Sequence, residues 1–500
     1  MIKKPKVTLI STDGFIQHGL RSISAFLKRE GFNVNVIFFD FDTDAQDIYN
    51  LPRILKSIRD IAQDSVFVGI STNIQTNSPL AIWLSKHLKN MNIPLVLGGI
   101  YPSINPDDCI KHFDILCRGE GEYVTLELAQ KLIKKQSIEK IPNLWVKSKS
   151  GEIIKNQPRE LIADLDVLPF PDIDTTTHYY LNKKEKKIKK IPKDDPLMKG
   201  YRGSFTIHGS RGCPFMCSYC SNKAIDTLYC GKFRKVRKRS IKILIEELKN
   251  VVKVANPTAI WFSDDVFPLR SEEELELFGS LYKEHIKIPF MCYVSPTTVS
   301  ENKMKLLVDA GLQVVEMGIQ SGSDYINRDI YERQQTQEDV IKATTILSKF
   351  KKRMRPTYQF ILFNEYEKEK DIIETINLIK KLHPPYLLQA FTLSLFKGSE
   401  LYNKYIDSGY LSPNYKMLTY TEADVAFLRS VNKMSNRKHY LYFLLWITIL
   451  SSRFKNKIPN FFKNDRLIKV KKIPTFFCYL SSFAVILLYR AVALKRKIIP

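Results

Sequence analysis

Apolar residues in the first 135 positions fall into short runs separated by stretches with helical spacing. Val7–Ser11, Val34–Phe39, Phe67–Ser71, Leu95–Gly98 and Ile115–Cys117 read as strands. Gly14–Arg29, Pro79–Lys89 and Tyr123–Lys134 read as helices. Apolar strands alternating with helices predict a parallel, doubly wound sheet over residues 1–140, with ligands at the carboxyl ends of its strands. Residues 141–199 break the rhythm with the proline-rich stretch Leu165–Asp172 and a lysine run, and read as a linker.

From Ser204 the alternation restarts. Ser204–Gly209, Ala259–Ser263, Phe290–Val294, Val314–Ile319, Pro356–Leu362 and Leu387–Leu395 are the expected strands, with helices between them. Six such units are too few to close an eight-unit barrel, so residues 200–405 predict an open, partial (β/α)6 barrel with its chemistry at the strand carboxyl ends. Residues 406–500 read as a helical, basic tail with two apolar stretches, Tyr440–Leu450 and Ile473–Tyr489.

A chain of 500 residues with 44% hydrophobic and 26% charged positions folds as several globular domains. Its net charge of +25 is unevenly placed. Residues 431–500 hold 15 Lys or Arg and one acid, Asp465, so this tail alone carries +14. The runs Lys183–Lys190 and Arg234–Arg239 read as solvated faces, and no nucleic acid is expected as a partner. The eight cysteines do not form a disulfide framework, because three crowd into eight positions and the rest are scattered. Residues Met1–Val7 do not read as a secretory signal. Together these features predict a reducing, cytoplasmic compartment.

The sharpest chemical signal is Ser210-Arg-Gly-Cys-Pro-Phe-Met-Cys-Ser-Tyr-Cys-Ser, with C-x3-C-x2-C spacing directly after a strand. Cys213, Cys217 and Cys220 on one short loop can converge on one 4Fe–4S cube and leave its fourth iron open. An open iron can chelate an amino acid's amine and carboxylate, which a four-cysteine electron carrier cannot do. The bland alternative is buried thiols or structural zinc, but zinc wants a fourth ligand and none lies at a local spacing. Cys109, Cys117, Cys230, Cys292 and Cys478 read as core or neutral positions.

This motif on a six-unit β/α pattern resembles the radical S-adenosylmethionine (SAM) superfamily, over residues 200–402. The resemblance implies a 4Fe–4S cluster on the three cysteines and SAM on its open iron. It also implies an acid after the second strand to meet the SAM amino group, here Asp264 or Asp265. A Gly-x-Glu-Ser motif after the fourth strand touches ribose in relatives. This chain has Gly318-Ile-Gln-Ser321, with Gln320 in place of the acid and Ser321 beside it.

In the first sheet, Gly69-Ile-Ser-Thr72, Gly98-Gly99-Ile-Tyr-Pro102 and Arg118-Gly-Glu-Gly-Glu122 stand at successive strand ends. They resemble the Rossmann-like cobalamin-binding domain fused ahead of many radical SAM enzymes, and imply cobalamin contacts from Ser71, Thr72, Gly98, Gly99, Gly119 and Glu120. The Asp-x-His-x-x-Gly stretch that ligates cobalt from below in many cobalamin proteins is absent. His18 lies near the first strand at the wrong spacing and reads as an ordinary histidine.

The resemblance implies reductive cleavage of SAM to a 5′-deoxyadenosyl radical and methylation of an unactivated carbon of a small, hydrophobic substrate. A flavodoxin- or ferredoxin-like electron donor is implied as a partner. Cyclisation or rearrangement is the alternative within the class, and an Fe–S or cobalamin sensor or electron carrier is the alternative outside it. Basic flanks and aromatic residues suit the tail to an anionic membrane surface; the alternative is a pair of helices that cap the barrel.

Overall fold

The computed structural model describes residues 4–14, 17–39, 52–192, 203–412, 435–455 and 465–474. The chain forms two compact units. One takes residues 1–214, 220–258 and 396–400; the other takes 215–219, 259–395 and 401 onward.

The first unit is built on a nine-stranded sheet. Its strands are β1 (Lys6–Ser11), β2 (Asn33–Phe38), β3 (Ser65–Ser71), β4 (Leu95–Gly98), β5 (Ile115–Cys117), β6 (Leu144–Lys147), β7 (Ile153–Lys155), β8 (His178–Asn182) and β9 (Lys187–Lys190). They lie in the order β7-β6-β5-β4-β3-β1-β2-β8-β9. The parallel centre is the expected doubly wound sheet, and its order reverses between β3 and β1. Ile10, Ile37, Val68, Ile70, Leu97 and Leu116 are buried on this sheet with Leu80, Leu84 and Leu88 from the helix Ser78–Leu88. Each such side chain stabilises the fold by roughly 1.5–3 kcal/mol.

The linker expected over 141–199 is a correction. Those residues supply β6 to β9, which widen the sheet at both edges and pair antiparallel except where β8 meets β2. The strands are only three to five residues long and rich in lysine, so their period is too short to read. The lysines belong to an edge hairpin, where charge discourages further strand pairing.

The second sheet has six strands in the order β10 (Ser204–Ile207), β13 (Ala259–Phe262), β14 (Phe290–Val294), β15 (Leu312–Gln320), β16 (Arg355–Leu362) and β17 (Leu387–Thr392). The strands from β13 to β17 pair in parallel, as expected for a partial barrel. In sequence between β10 and β13 comes a separate two-strand ribbon, β11 (Ser210–Arg211) with β12 (Arg237–Lys238).

The helix Asn436–Lys455 packs on β17 and on the helix Glu369–Lys381. Tyr440, Leu441, Tyr442, Leu444, Leu445 and Ile449 are buried. These six residues of the apolar stretch Tyr440–Leu450 pack inside the protein, while Phe443, Trp446 and Ile447 are half-buried. An open barrel ends in an edge strand, and this helix covers it. The second stretch lies almost wholly outside the described residues. Among those residues no helix is long and apolar enough to cross a membrane.

Candidate functional site

The cysteine loop follows β10. Gly212 has φ +95°, and a Cβ there would lie 2.4 Å from the Phe233 carbonyl oxygen, so only glycine makes this turn. Cys213 and Cys217 are buried, Cys220 is half-buried, and none of the three is in a disulfide. Cys220 is the residue before the helix Ser221–Leu228. Ser218 fixes the loop within the second unit: its N–H donates to the Tyr331 carbonyl at 2.9 Å and its hydroxyl to the Ile330 carbonyl at 2.6 Å. The Tyr219 ring stands edge-on to Tyr331 with centroids 5.1 Å apart.

Arg333 was not legible in the sequence. Its Nη1 lies 3.8 Å from the Cys217 sulfur and 3.2 Å from the Tyr219 hydroxyl, while Nη2 donates to the Gly318 carbonyl at 2.8 Å. Arg333 thus sets a positive charge beside the Cys217 sulfur. No local motif marks this arginine, which reaches the cysteine loop from the segment after β15.

Among the described residues no three His, Cys, Asp or Glu side chains converge as a single-ion site. A cube with iron at alternate corners holds its thiolates farther apart than one ion does. Three thiols on one loop, none in a disulfide, with a guanidinium at the Cys217 sulfur, fit a 4Fe–4S cluster with one open iron.

The structure separates the two candidate acids: Asp264 is buried just past β13, whereas Asp265 is exposed. Gln320 ends β15 with φ +66°. Ser321 is buried and bonded within the protein, 3.3 Å from the Thr375 hydroxyl and 3.5 Å from a Glu367 carboxylate oxygen.

In the first unit, the expected cobalamin residues cluster at the strand carboxyl ends. Ser71 and Thr72 end β3, beside Gly98 and Gly99 at the end of β4; the Thr72 N–H donates to the Gly98 carbonyl at 3.0 Å. Asp13 was missed. It sits where the strand order reverses, and its carboxylate accepts from Gln17 Nε2 at 2.6 Å, from the Asn73 N–H at 2.7 Å and from Asn77 Nδ2 at 2.6 Å. Burial pushes Asp13 up to about 6 against those bonds. A crevice at this reversal is where doubly wound sheets take ligands, and bare backbone at Gly98 and Gly99 suits a broad, flat one.

Glu120 and Gly119 are engaged differently. The Glu120 N–H donates to the Tyr229 hydroxyl at 2.9 Å, and a Cβ on Gly119 would lie 1.9 Å from that oxygen. One Glu120 oxygen meets Arg211 at 3.2 Å and Arg237 at 2.9 Å, and the other accepts from the Ile162 N–H at 3.0 Å. Its carboxylate is spent on protein partners. His18 is also accounted for. Its ring lies 4.6 Å from His208, and burial pushes it down to about 3, a neutral, packed imidazole.

An open sheet with a reversal crevice, followed by a six-stranded barrel with a three-thiol loop, defines a cobalamin-binding radical SAM enzyme. Family comparison agrees. Residues 11–129 match the B12 binding domain and residues 207–379 the radical SAM superfamily. The chain belongs to the radical SAM enzymes that carry a B12-binding domain ahead of the barrel. It is 26% identical over 386 residues to an uncharacterized methyltransferase of Pyrococcus horikoshii, covering 76% of each chain. It is 25% identical over 362 residues to the bacteriochlorophyllide d C-8(2)-methyltransferase of Chlorobaculum tepidum, covering 70% of each. Its fold is similar to that of the radical SAM methyltransferase TsrM of Kitasatospora setae, solved with cobalamin and a [4Fe-4S] cluster, at TM-score 0.65 and 16% identity over 81% of this chain and 78% of that one.

Proposed function

We propose that this enzyme transfers a methyl group to an unactivated carbon of a small, largely hydrophobic substrate. The observation that carries the reading is the loop of three thiols after β10, none of them in a disulfide, in a chain whose first sheet reverses its strand order between β3 and β1. Bound together, the 4Fe–4S cluster, SAM and cobalamin would supply radical generation and the methyl group.

The chain's own residues bind and orient. Cys213, Cys217 and Cys220 hold the cluster, and Arg333 steadies the Cys217 thiolate. Asp264 is the acid placed to meet the SAM amino group, with Gln320 at the ribose. Ser71, Thr72, Gly98 and Gly99 meet the corrin, and Asp13 pins the tops of β1 and β3 beneath it. Glu120 and Gly119 set the shape of the β5 loop through Arg211, Arg237 and Tyr229. A flavodoxin- or ferredoxin-class donor supplies electrons. The +14 carried by residues 431–500 supports peripheral attachment to an anionic surface.

The test is anaerobic turnover of reconstituted protein with SAM, reductant and cobalamin on lipid and isoprenoid extracts. Expected are 5′-deoxyadenosine and a product heavier by one methylene unit. Alanine at Cys213, Cys217 or Cys220 should abolish both and lower iron content. A product of unchanged carbon count would replace methylation with cyclisation or rearrangement.

A further inference from the structure

The strands β13 to β17 have two faces. Phe262 and Phe290 point to the helix Glu272–His285, where their rings pack on Phe278 and Tyr282. Alternate residues therefore face the barrel interior. Across that interior runs a stepped row, Trp261, Tyr293, Glu316, Gln359 and Gln389, one residue from each of five neighbouring strands, offset by two residues between β13 and β14 and again between β15 and β16. Tyr293 is in register with Glu316, and Gln359 with Gln389. The Trp261 and Tyr293 rings lie 5.8 Å apart. Gln359 Nε2 donates to Glu316 at 2.9 Å and to Gln389 Oε1 at 3.2 Å. All five are only part-buried by the protein.

Interior layers of such barrels are ordinarily filled with branched apolar side chains, so this row needs a reason. Glu316 is the most demanding member. Among the described residues it has no Lys, Arg or His partner, and its one bond comes from the neutral amide of Gln359. A carboxylate drawn out of water without a cation is costly. Gln359 has spent both amide hydrogens, so it offers only its carbonyl oxygen further. The same row holds the Tyr293 and Trp261 rings, and aromatic rings attract cations. Met291, Val314, Ile361 and Leu387 are part-buried on the same face, so the walls around the row are apolar.

We propose that this row is the floor of the substrate site and takes a positively charged nitrogen carried on an apolar body. The ammonium would meet Glu316 and the Tyr293 and Trp261 rings, and the apolar body would fill the rest of the interior. This deepens the proposed function and rests on it for placing the substrate inside the barrel.

The experiment measures binding without turnover. Full-length protein with reconstituted cluster is titrated calorimetrically at neutral pH with hexylamine, 1-hexanol and hexanoate, three probes of one chain length and different charge. Hexylamine should bind at least about tenfold tighter than 1-hexanol, as one charged contact requires. Glu316→Gln, equal in shape, should erase that preference at unchanged iron content. If Glu316→Gln fails to load iron, Tyr293→Leu serves instead and should weaken hexylamine alone. Equal or tighter binding of 1-hexanol or hexanoate, no binding of hexylamine, or a preference that survives both variants would overturn the proposal. SAM cleavage is assayed separately. Its absence with the amine preference intact would sink the reaction and spare the site, and the reverse would sink only the site.

Discussion

Glu122, buried in the first unit, and Glu316, part-buried in the second, are carboxylates treated in opposite ways. Glu122 accepts from Arg211 at 2.6 Å and from the Ser22 hydroxyl at 2.8 Å. Burial works against its charge, but Arg211 and these bonds prevail and hold it below its ordinary value. Among the described residues Glu316 has only the Gln359 amide, and burial pushes it up. A saturated carboxylate is scaffold: with Glu120 it locks the β5 loop to Arg211, two residues before Cys213. An unsaturated one is an opening for a ligand.

The pH dependences have opposite signs. Glu122 contributes stability that is present above its ordinary 4.5 and lost as pH falls through its folded value. Glu316 contributes stability present below 4.5 and lost as pH rises through its folded value. The largest expected effect follows. Arg211→Leu strands Glu122 and leaves Glu120 with Arg237 alone, and should cost about 3–5 kcal/mol in urea denaturation at neutral pH. Glu316→Gln should leave stability unchanged or raise it. Equal destabilisation by both would break the comparison.

Gly99 gives a smaller effect on the scaffold side. With φ +107°, and with a Cβ placed 2.4 Å from the Thr72 carbonyl oxygen, Gly99→Ala strains the junction of β3 and β4. A cost of about 1–3 kcal/mol is expected. Corrin titration should weaken while iron content stays at the wild-type level. The cause would be displacement of the crevice wall by the clash with Thr72, in place of a side chain intruding on the corrin. Unchanged corrin affinity would detach Gly99 from the site.

The sequence makes the cysteine loop legible because three ligands on one short segment leave a fixed spacing. The parallel strands are legible because buried strands are apolar runs longer than chance. The strands β6 to β9 were not, since edge strands of three to five residues carry lysines and no period. Asp13 and Arg333 were missed for another reason: each works through partners far along the chain, and a lone Asp or Arg has no local mark. The interior row was hidden likewise. Trp261, Tyr293, Glu316, Gln359 and Gln389 lie on five segments, and only the folded sheet brings them into one interior row. Helix Asn436–Lys455 shows how one pattern serves two ends, because apolar, aromatic residues with basic flanks suit a lipid surface and an edge strand alike.

That helix supplies the last and smallest prediction. The Tyr442 hydroxyl donates to a Glu367 oxygen at 2.5 Å, and the Tyr442 ring lies 4.7 Å from Phe363. Glu367 is pushed up to about 7 by burial, with the Tyr442 bond opposing that shift. Because the bond favours the charged carboxylate, Tyr442→Phe should raise Glu367 further. Glu367 sits above its ordinary 4.5, so its stability contribution is present below that value and fades as pH rises through 7. Tyr442→Phe should therefore cost more at pH 8 than at pH 6, by about 1 kcal/mol in unfolding free energy. A helix held mainly by its apolar face would lose the same amount at both pH values. That outcome would leave Glu367 outside the comparison, as a buried acid that neither the scaffold nor a ligand stabilises in its charged form.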